Sequence, residues 1–428
     1  MHKFAWIGSS LILLFILMVL SPLCIGFYAK NKLTTAVGKL QARNPMLVVR
    51  ITDYQRHWFT STATIQLGLH PIKAAPATVS STPLAVTVNT EIVHGPILWQ
   101  KSSAQGFPLD FGLAYVSGLL QLNKDSVPLT AQWINRSDLG LIGLKFNFLG
   151  GMHLVLQWLP FVFSDPAQGL KLSVQGAVTQ WWTNADVSRV RFEQNNQGVV
   201  LQSPTLEARF EQPTVLKVEQ HKVNDKVWIG NVDMNIPLLQ MQGAKQLPLR
   251  FDAIHLSYDT ELNDRFLNTK TNIHIDNVKR GDEDTYRGLI IEASADHLDL
   301  SAVQAILQLS QQLNAALSEM NALIAKRGQS SDAQSSAIEA AYIDSSKQVF
   351  LVQQQFFLAV TQLLKEGAQF SIKQFHLGTP QGDLDGAFSV AFAKAPADKP
   401  LLGLVQAVNN AAIQMNFALP KLLMQTVL

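Results

Sequence analysis

The ten histidines are the first side chains to weigh, because imidazole ligates metals and moves protons near neutral pH. His255, His274 and His297 sit on or beside successive strand-like segments, with Asp252, Asp276 and Asp296 close by in sequence. Imidazoles and carboxylates together can hold a divalent metal if the strands converge. On separate solvated strands they only face water, and that is the expectation here. In His94-Gly95-Pro96 the histidine offers a general base. The plainer reading is a strand end where Gly and Pro turn the chain and the imidazole bonds backbone. Asp282-Glu283-Asp284 and the pair Asp383 and Asp385 lack calcium-loop spacing and read as turn chemistry. The chain has no Gly-x-Ser-x-Gly, no His-Glu-x-x-His and no Walker loop. Cys24 is the one cysteine, which excludes an internal disulfide and a cysteine-based zinc site. The expectation is a protein that is not an enzyme, with no catalytic, cofactor-binding or metal-ligating residue to assign.

A different chemistry is suggested by aromatic density. Trp158, Phe161 and Phe163 lie near Trp181 and Trp182, with Leu159, Pro160 and Val162 between. A curled sheet with an apolar inner face holds a lipid or acyl chain in a groove. The alternative is a packed core between the sheet and a helix hairpin.

The elements that must position these residues follow from hydrophobic period. The chain has 428 residues, 47% of them hydrophobic and 15% charged. With 34 basic against 32 acidic residues, it lacks the charge footprint of a nucleic-acid binder. Phe4 to Tyr28 runs 25 residues without a formal charge, long enough to span a bilayer. Leu11 to Leu20 is almost purely aliphatic, and Trp6, Phe27 and Tyr28 sit where interfacial anchors belong. The run is too long for a signal peptide and no small-x-small site follows it. Leu23 before Cys24 also suits a lipoprotein signal poorly. The reading is residues 1–3 as a tail, 4–28 as an uncleaved anchor, 29–45 as a juxtamembrane linker or helix, and 46–428 as one large exported domain. Lysines flank both sides of the apolar run, so charge alone does not orient it.

Within the domain, residues 46–300 alternate with period two, as half-buried strands do. Phe59, Ser61, Ala63, Ile65, Leu67 and Leu69 share one face, and so do Ile142, Leu144, Phe146 and Phe148. Leu170, Leu172, Val174 and Val178 read as another strand, with a turn at Asn195–Gly198. Residues 301–367 read as a helix hairpin. Ser301 is the expected N-cap with Gln304 completing a capping box. Val303, Ile306, Leu313, Leu317, Met320 and Ile324 form one stripe; Tyr342, Val349, Phe350, Phe356, Phe357, Val360 and Leu364 form the other. Residues 368–428 return to strands around a loop from Gly378 to Gly386, then a short terminal helix. The fold class is therefore α+β: an N-terminal transmembrane helix, then a large curled, mainly antiparallel sheet with the helix hairpin packed on it.

Three features together resemble a known family. Tyr54, Arg56, Phe59 and Ser61 follow the tyrosine–arginine–glycine–aromatic–serine signature of the YdgA-like family, bacterial inner-membrane-anchored envelope proteins with a domain of unknown function. His94, Gly95 and Pro96 are similar to its His-Gly-Pro-Phe motif, and the order of anchor, β region, helices and late strand pair fits. His57 stands where the family has glycine, and Ile97 where it has phenylalanine. The resemblance implies a periplasmic C-terminal domain, held in the inner membrane by one N-terminal helix, and supplies no catalytic residue. The expected role is scaffolding or accessory work in envelope assembly or maintenance, with a lipid or apolar-ligand carrier as the alternative. The partners implied are the inner membrane, lipid, other envelope proteins or a second copy, and no nucleic acid.

Overall fold

The computed structural model describes residues 47–69, 85–99, 109–122, 134–224, 227–244, 246–281, 283–327, 332–394 and 409–420, together with Thr34. The expected anchor (Phe4, Trp6, Leu11, Leu20, Phe27 and Tyr28 included), the terminal helix and, Thr34 aside, the linker lie outside the described residues. The described residues are mostly antiparallel β-structure, with the helix pair of residues 300–365, hence α+β. Among the described residues the strands form no closed barrel. The chain divides into two compact units. The first comprises Met1–His221, Met234–Asp252 and Arg280–Asp282; the second comprises Lys222–Asp233, Ala253–Lys279 and Glu283–Leu428.

The first unit contains β1 (Leu47–Arg56), β2 (Thr60–Leu69) and β3 (Ala85–His94), then β4 (Ile97–Trp99) and β5 (Leu109–Phe111) as a separate small hairpin. It continues with β6 (Ala114–Leu122), β7 (Asp138–Phe146), β8 (Met152–Trp158), β9 (Phe161–Asp165), β10 (Leu170–Val174), β11 (Ala177–Thr183) and β12 (Arg189–Asn196). β13 (Val199–Gln202), β14 (Leu206–Phe210) and β15 (Thr214–Lys222) follow. Antiparallel pairing runs β1-β2-β3-β6-β7-β8-β11-β12-β15.

Strand alternation gives this sheet two chemical faces. On one, Ile92, Val116, Leu144, Leu154, Trp181, Phe192 and Val218 stand opposite one another across seven strands. The face is sealed at Ala63, Val88, Ile92, Leu120 and Leu122, and opens toward Trp181, which is 43% exposed. The other face is polar, with amides and hydroxyls toward one edge and charged pairs such as Arg191 with Glu219 toward the other. Thr64 Oγ1 donates to Asn89 Oδ1 at 3.3 Å, Asn89 Nδ2 to Gln121 Oε1 at 3.1 Å, and Gln121 Nε2 to Asp138 Oδ1 at 2.9 Å.

Four long strands crease at one level. β8 with β9, β10 with β11, β12 with β13, and β14 with β15 are each interrupted for two or three residues, at Leu159-Pro160, Gln175-Gly176, Gln197-Gly198 and Glu211–Pro213. The pairings β9–β10, β10–β13 and β13–β14 repeat the strand order on the far side. Gln175 N donates to Gly198 O and Gln197 N to Gly176 O, both at 2.9 Å, so that ladder does not break. The expected turn at Asn195–Gly198 is therefore a crease inside a paired strand, and the expected strand from Leu170 to Val178 is two. Gly176 has φ +126, and a Cβ there would meet Trp158 O at 3.2 Å, so glycine suits both the angle and the close approach. β16 (Trp228–Gly243) extends this wing by pairing with β14.

β17 (Leu249–Asn263), β18 (Phe266–Arg280) and β19 (Glu283–Asp299) lead to α1 (Leu300–Arg327) and α2 (Asp332–Lys365). In the second unit β19 pairs with β20 (Gln369–Thr379), β20 with β21 (Gly382–Phe392) and β21 with β22 (Ala411–Ala418). The expected Gly378–Gly386 loop is mostly strand; the chain reverses between Thr379 and Gly382, where Thr379 Oγ1 donates to Gly382 O at 2.7 Å. The helix cap also differs from expectation. Asp299, not Ser301, caps α1: its Oδ1 accepts the Ala302 amide at 3.0 Å. Arg265 then joins both ends of the hairpin. Its Nε lies 3.5 Å from the Asp299 carboxylate at the start of α1, and it bonds Glu366 just past the end of α2.

The hairpin meets the strands at its base. Ala302, Leu363, Leu364 and Ala368 form a core with Leu298, Phe370 and Phe392, and Val303 also packs on Val227, Ile229 and Leu267. Farther out, Ala316, Ser345, Val349 and Val352 are buried, whereas Ile324, Phe350 and Phe357, expected in the packed stripes, are exposed. Asp299→Ala is expected to lower stability by about 1–2 kcal/mol through loss of the cap, while Gln304→Ala changes it by less than ~0.5 kcal/mol. Denaturant unfolding followed by circular dichroism measures both.

Candidate functional site

Three of the family-like motif residues, Tyr54, Ser61 and His94, meet in one place across β1 to β3. Register sets Tyr54 opposite Ala63 and Arg56 opposite Ser61, and Ser61 opposite Ile92. At the strand end, His94 N donates to Phe59 O at 2.9 Å and Gly95 N to Leu113 O at 3.1 Å. Gly95 has φ 135, a conformation glycine adopts freely, and Gly112 N returns a bond to Pro96 O at 3.4 Å. These bonds deliver the His94 ring to Ser61. Ser61 Oγ lies 3.2 Å from His94 Nε2 and accepts from the Tyr54 hydroxyl, also at 3.2 Å. Ala63, Ile92 and Ala114, with Tyr54, Val116 and Phe146, form the apolar cluster of this region. Arg56 and Phe59, the other motif members, are exposed.

A serine within reach of an imidazole is the start of a nucleophilic site. Here the substrate has no access, because Ser61 is 0% and His94 1% exposed. What the arrangement does is tie the buried Ser61 and His94 to the half-buried Tyr54, one hydrogen-bonded link across three strands.

The other candidates do not converge. Among the described residues no three His, Cys, Asp or Glu side chains are grouped as a metal site. His255 pairs with Asp233 at 3.4 Å and His274 with Asp276 at 3.1 Å, while His297 stacks on Phe266. Asp252 is held by Arg250 and Asp296 by Ser294.

The five aromatic groove candidates fall on different surfaces. Trp158 packs against the cluster of Val88, Leu120, Leu122 and Leu139. Trp181 lies edge-on to Phe192 at 6.3 Å in the open part of the apolar face. Trp182, its neighbour, points the other way, stacked on His153 at 4.8 Å with Arg191 at 5.1 Å. Phe161 and Phe163 begin two further rows beyond the crease: Phe161, Val174, Val199, Phe210 and Leu239, and Phe163, Leu172, Leu201, Ala208 and Met241. Leu154 and Phe192, which flank Trp181, were missed in sequence. The signal for Phe192 is the alternation of Val190 and Phe192 with Arg189, Arg191 and Glu193.

The whole chain, residues 1–428, matches the model of a family described as bacterial protein of unknown function (DUF945). The chain belongs to that family. No curated protein and no solved structure matches it.

Two titrating groups lie near this strand end in the family member. Asp110 on β5 receives the Lys145 ammonium at 2.6 Å, which ties the small hairpin to β7. Burial raises its pKa, but the bonds from Lys145 and the Phe111 amide outweigh that and hold it below the ordinary 3.8. Burial against Trp182 keeps His153 below its ordinary 6.5. Both folded-state values are depressed, so both groups favour folding above their ordinary values and cease to do so as pH falls. Stability should therefore decline as pH drops below 6.5, and His153→Phe should flatten that part of the profile in unfolding midpoints measured against pH. Ser61→Ala is expected to cost about 1–3 kcal/mol, since it removes the hydroxyl that Tyr54 and His94 share. A fluorophosphonate probe is expected to leave native Ser61 unlabelled, as read by peptide mass spectrometry.

Proposed function

We propose that this is a non-enzymatic protein of the bacterial envelope, of the YdgA-like kind, that scaffolds or assists other envelope components. The observation that carries the reading is that the most enzyme-like pair in the described structure, Ser61 with His94, is sealed from solvent. The uncharged run from Phe4 to Tyr28 supports a single inner-membrane anchor, with the C-terminal domain in the periplasm. No helix among the described residues is long and apolar enough to cross a membrane, so the anchor reading rests on that run alone. The second reading, an apolar-ligand carrier, draws on Trp181, exposed between Leu154 and Phe192 in the apolar row.

Alkaline phosphatase fused after Leu428 should be active in cells; an inactive fusion beside an active cytoplasmic reporter would overturn the orientation. Mass spectrometry of gently purified protein separates the two roles. Stoichiometric protein partners without retained lipid support the scaffold. A stoichiometric lipid lost in Trp181→Asp supports the carrier.

A further inference from the structure

One end of the first unit's sheet carries a row of exposed apolar side chains. The hairpin between β1 and β2 presents Trp58 and Phe59, and the last residue of β5 presents Phe111, opposite Ile97 at the base of the β4–β5 pair. The turn between β7 and β8 presents Phe148 and Leu149, and the turn between β11 and β12 presents Val187. Leu149 is 91% and Phe111 67% exposed. Register puts these tips at the same end: Phe59, His94, Ala114, Phe146, Met152, Thr183 and Val190 are successive partners across the ladder just behind them. The β7–β8 and β11–β12 turns lie side by side, since a Cβ on Gly150 would lie 2.9 Å from Ala185. From the first tip to the last is six strand spacings, about 29 Å.

The Val187 tip is held in a costly conformation. Val187 has φ 57, an outlier for a β-branched residue, with a cost on the order of 1–3 kcal/mol. Asn184 and Asp186 maintain it by bonding Ser188 and the Arg189 amide. The strained backbone holds an apolar side chain in water, which points to a contact made outside this fold.

We propose that this row of hairpin tips inserts into the interfacial layer of a lipid bilayer. A protein partner of ordinary affinity needs a complementary patch of roughly 800 Å² per side. Separate protruding tips suit a lipid interface, which requires no fixed shape, and Trp and Phe belong at its headgroup level. The charges agree. Arg56 and Arg189 are exposed at the same tips, against the exposed Asp186, while Asp110 is neutralised by Lys145. That leaves a basic balance suited to anionic headgroups. The tips' contact does not depend on the proposed anchor.

The test uses the full chain with Cys24→Ser and Leu149→Cys carrying an environment-sensitive fluorophore. It is mixed with phosphatidylcholine–phosphatidylglycerol vesicles, with and without brominated acyl chains. A second chain carries the probe at Lys171→Cys, an exposed site on β10. The expected result is a blue shift and loss of most emission to brominated lipid at position 149, with neither at 171. Adding Trp58→Ser and Phe148→Ser should restore the emission, and Arg56→Gln should weaken engagement of anionic vesicles about fivefold. Emission at 149 that bromine does not quench overturns the proposal, whether the probe stays in water or is blue-shifted against another protein or a second copy. Flotation of the same samples reports the anchor separately. A chain that floats without quenching at 149 keeps the anchor and loses the tips; one quenched there without stable flotation does the reverse.

Discussion

The register among β1, β2 and β3 is the constraint on which the rest of the first unit depends. A strand side chain has two directions available, and a slip of one residue exchanges them all. The irregularity between Ile51 and Asp53 sets Tyr54 opposite Ala63, from which its hydroxyl reaches Ser61. Ser61 in turn holds His94, and the His94 backbone is tied to Phe59. With that corner pinned, Ile92 must face inward, and each following partner in its row inherits the same side. Residues that look catalytic in isolation thus act as the register mark of a long sheet.

A comparable economy governs the second unit. Arg265 sits in the turn between β17 and β18, yet it contacts the first residue before α1 and the first residue after α2. One side chain fixes where the helix pair starts and ends. The apolar contacts of the hairpin with the strands then need only its base, and the outer turns can keep Phe350 and Phe357 in solvent.

Period two made most strands legible, because their apolar faces are regular over many residues. β2 falls where alternation predicts it, with Phe59 left outside the strand, which begins at Thr60. The misses have local causes. Phe148 continues the alternation of β7 in sequence, but Gly150 and Gly151 reverse the chain before it can pair, leaving it on a tip. Asn195–Gly198 has turn composition, but inter-strand bonds hold it extended. Ser301 and Asp299 are both good caps, and the one that takes the role is the one Arg265, distant in sequence, also contacts. The site was half legible. Its residues stood out as motifs, whereas the Ser61–His94 bond spans 33 positions and exists only once three strands pair. The Trp181 surface was blurred because Trp181 and Trp182 are adjacent in sequence and so face opposite sides of the sheet.

The polar ladder from Thr64 through Asn89 and Gln121 to Asp138 bears on how this surface meets its solvent. Its first two bonds join neutral dipoles, which are not screened as ion pairs are, since the Debye length governs charges. Farther along the same face Arg191 meets Glu193 and Glu219, and those contacts weaken as ionic strength rises. Added salt therefore acts on the Arg191 end of this face and leaves the Thr64 end nearly unchanged.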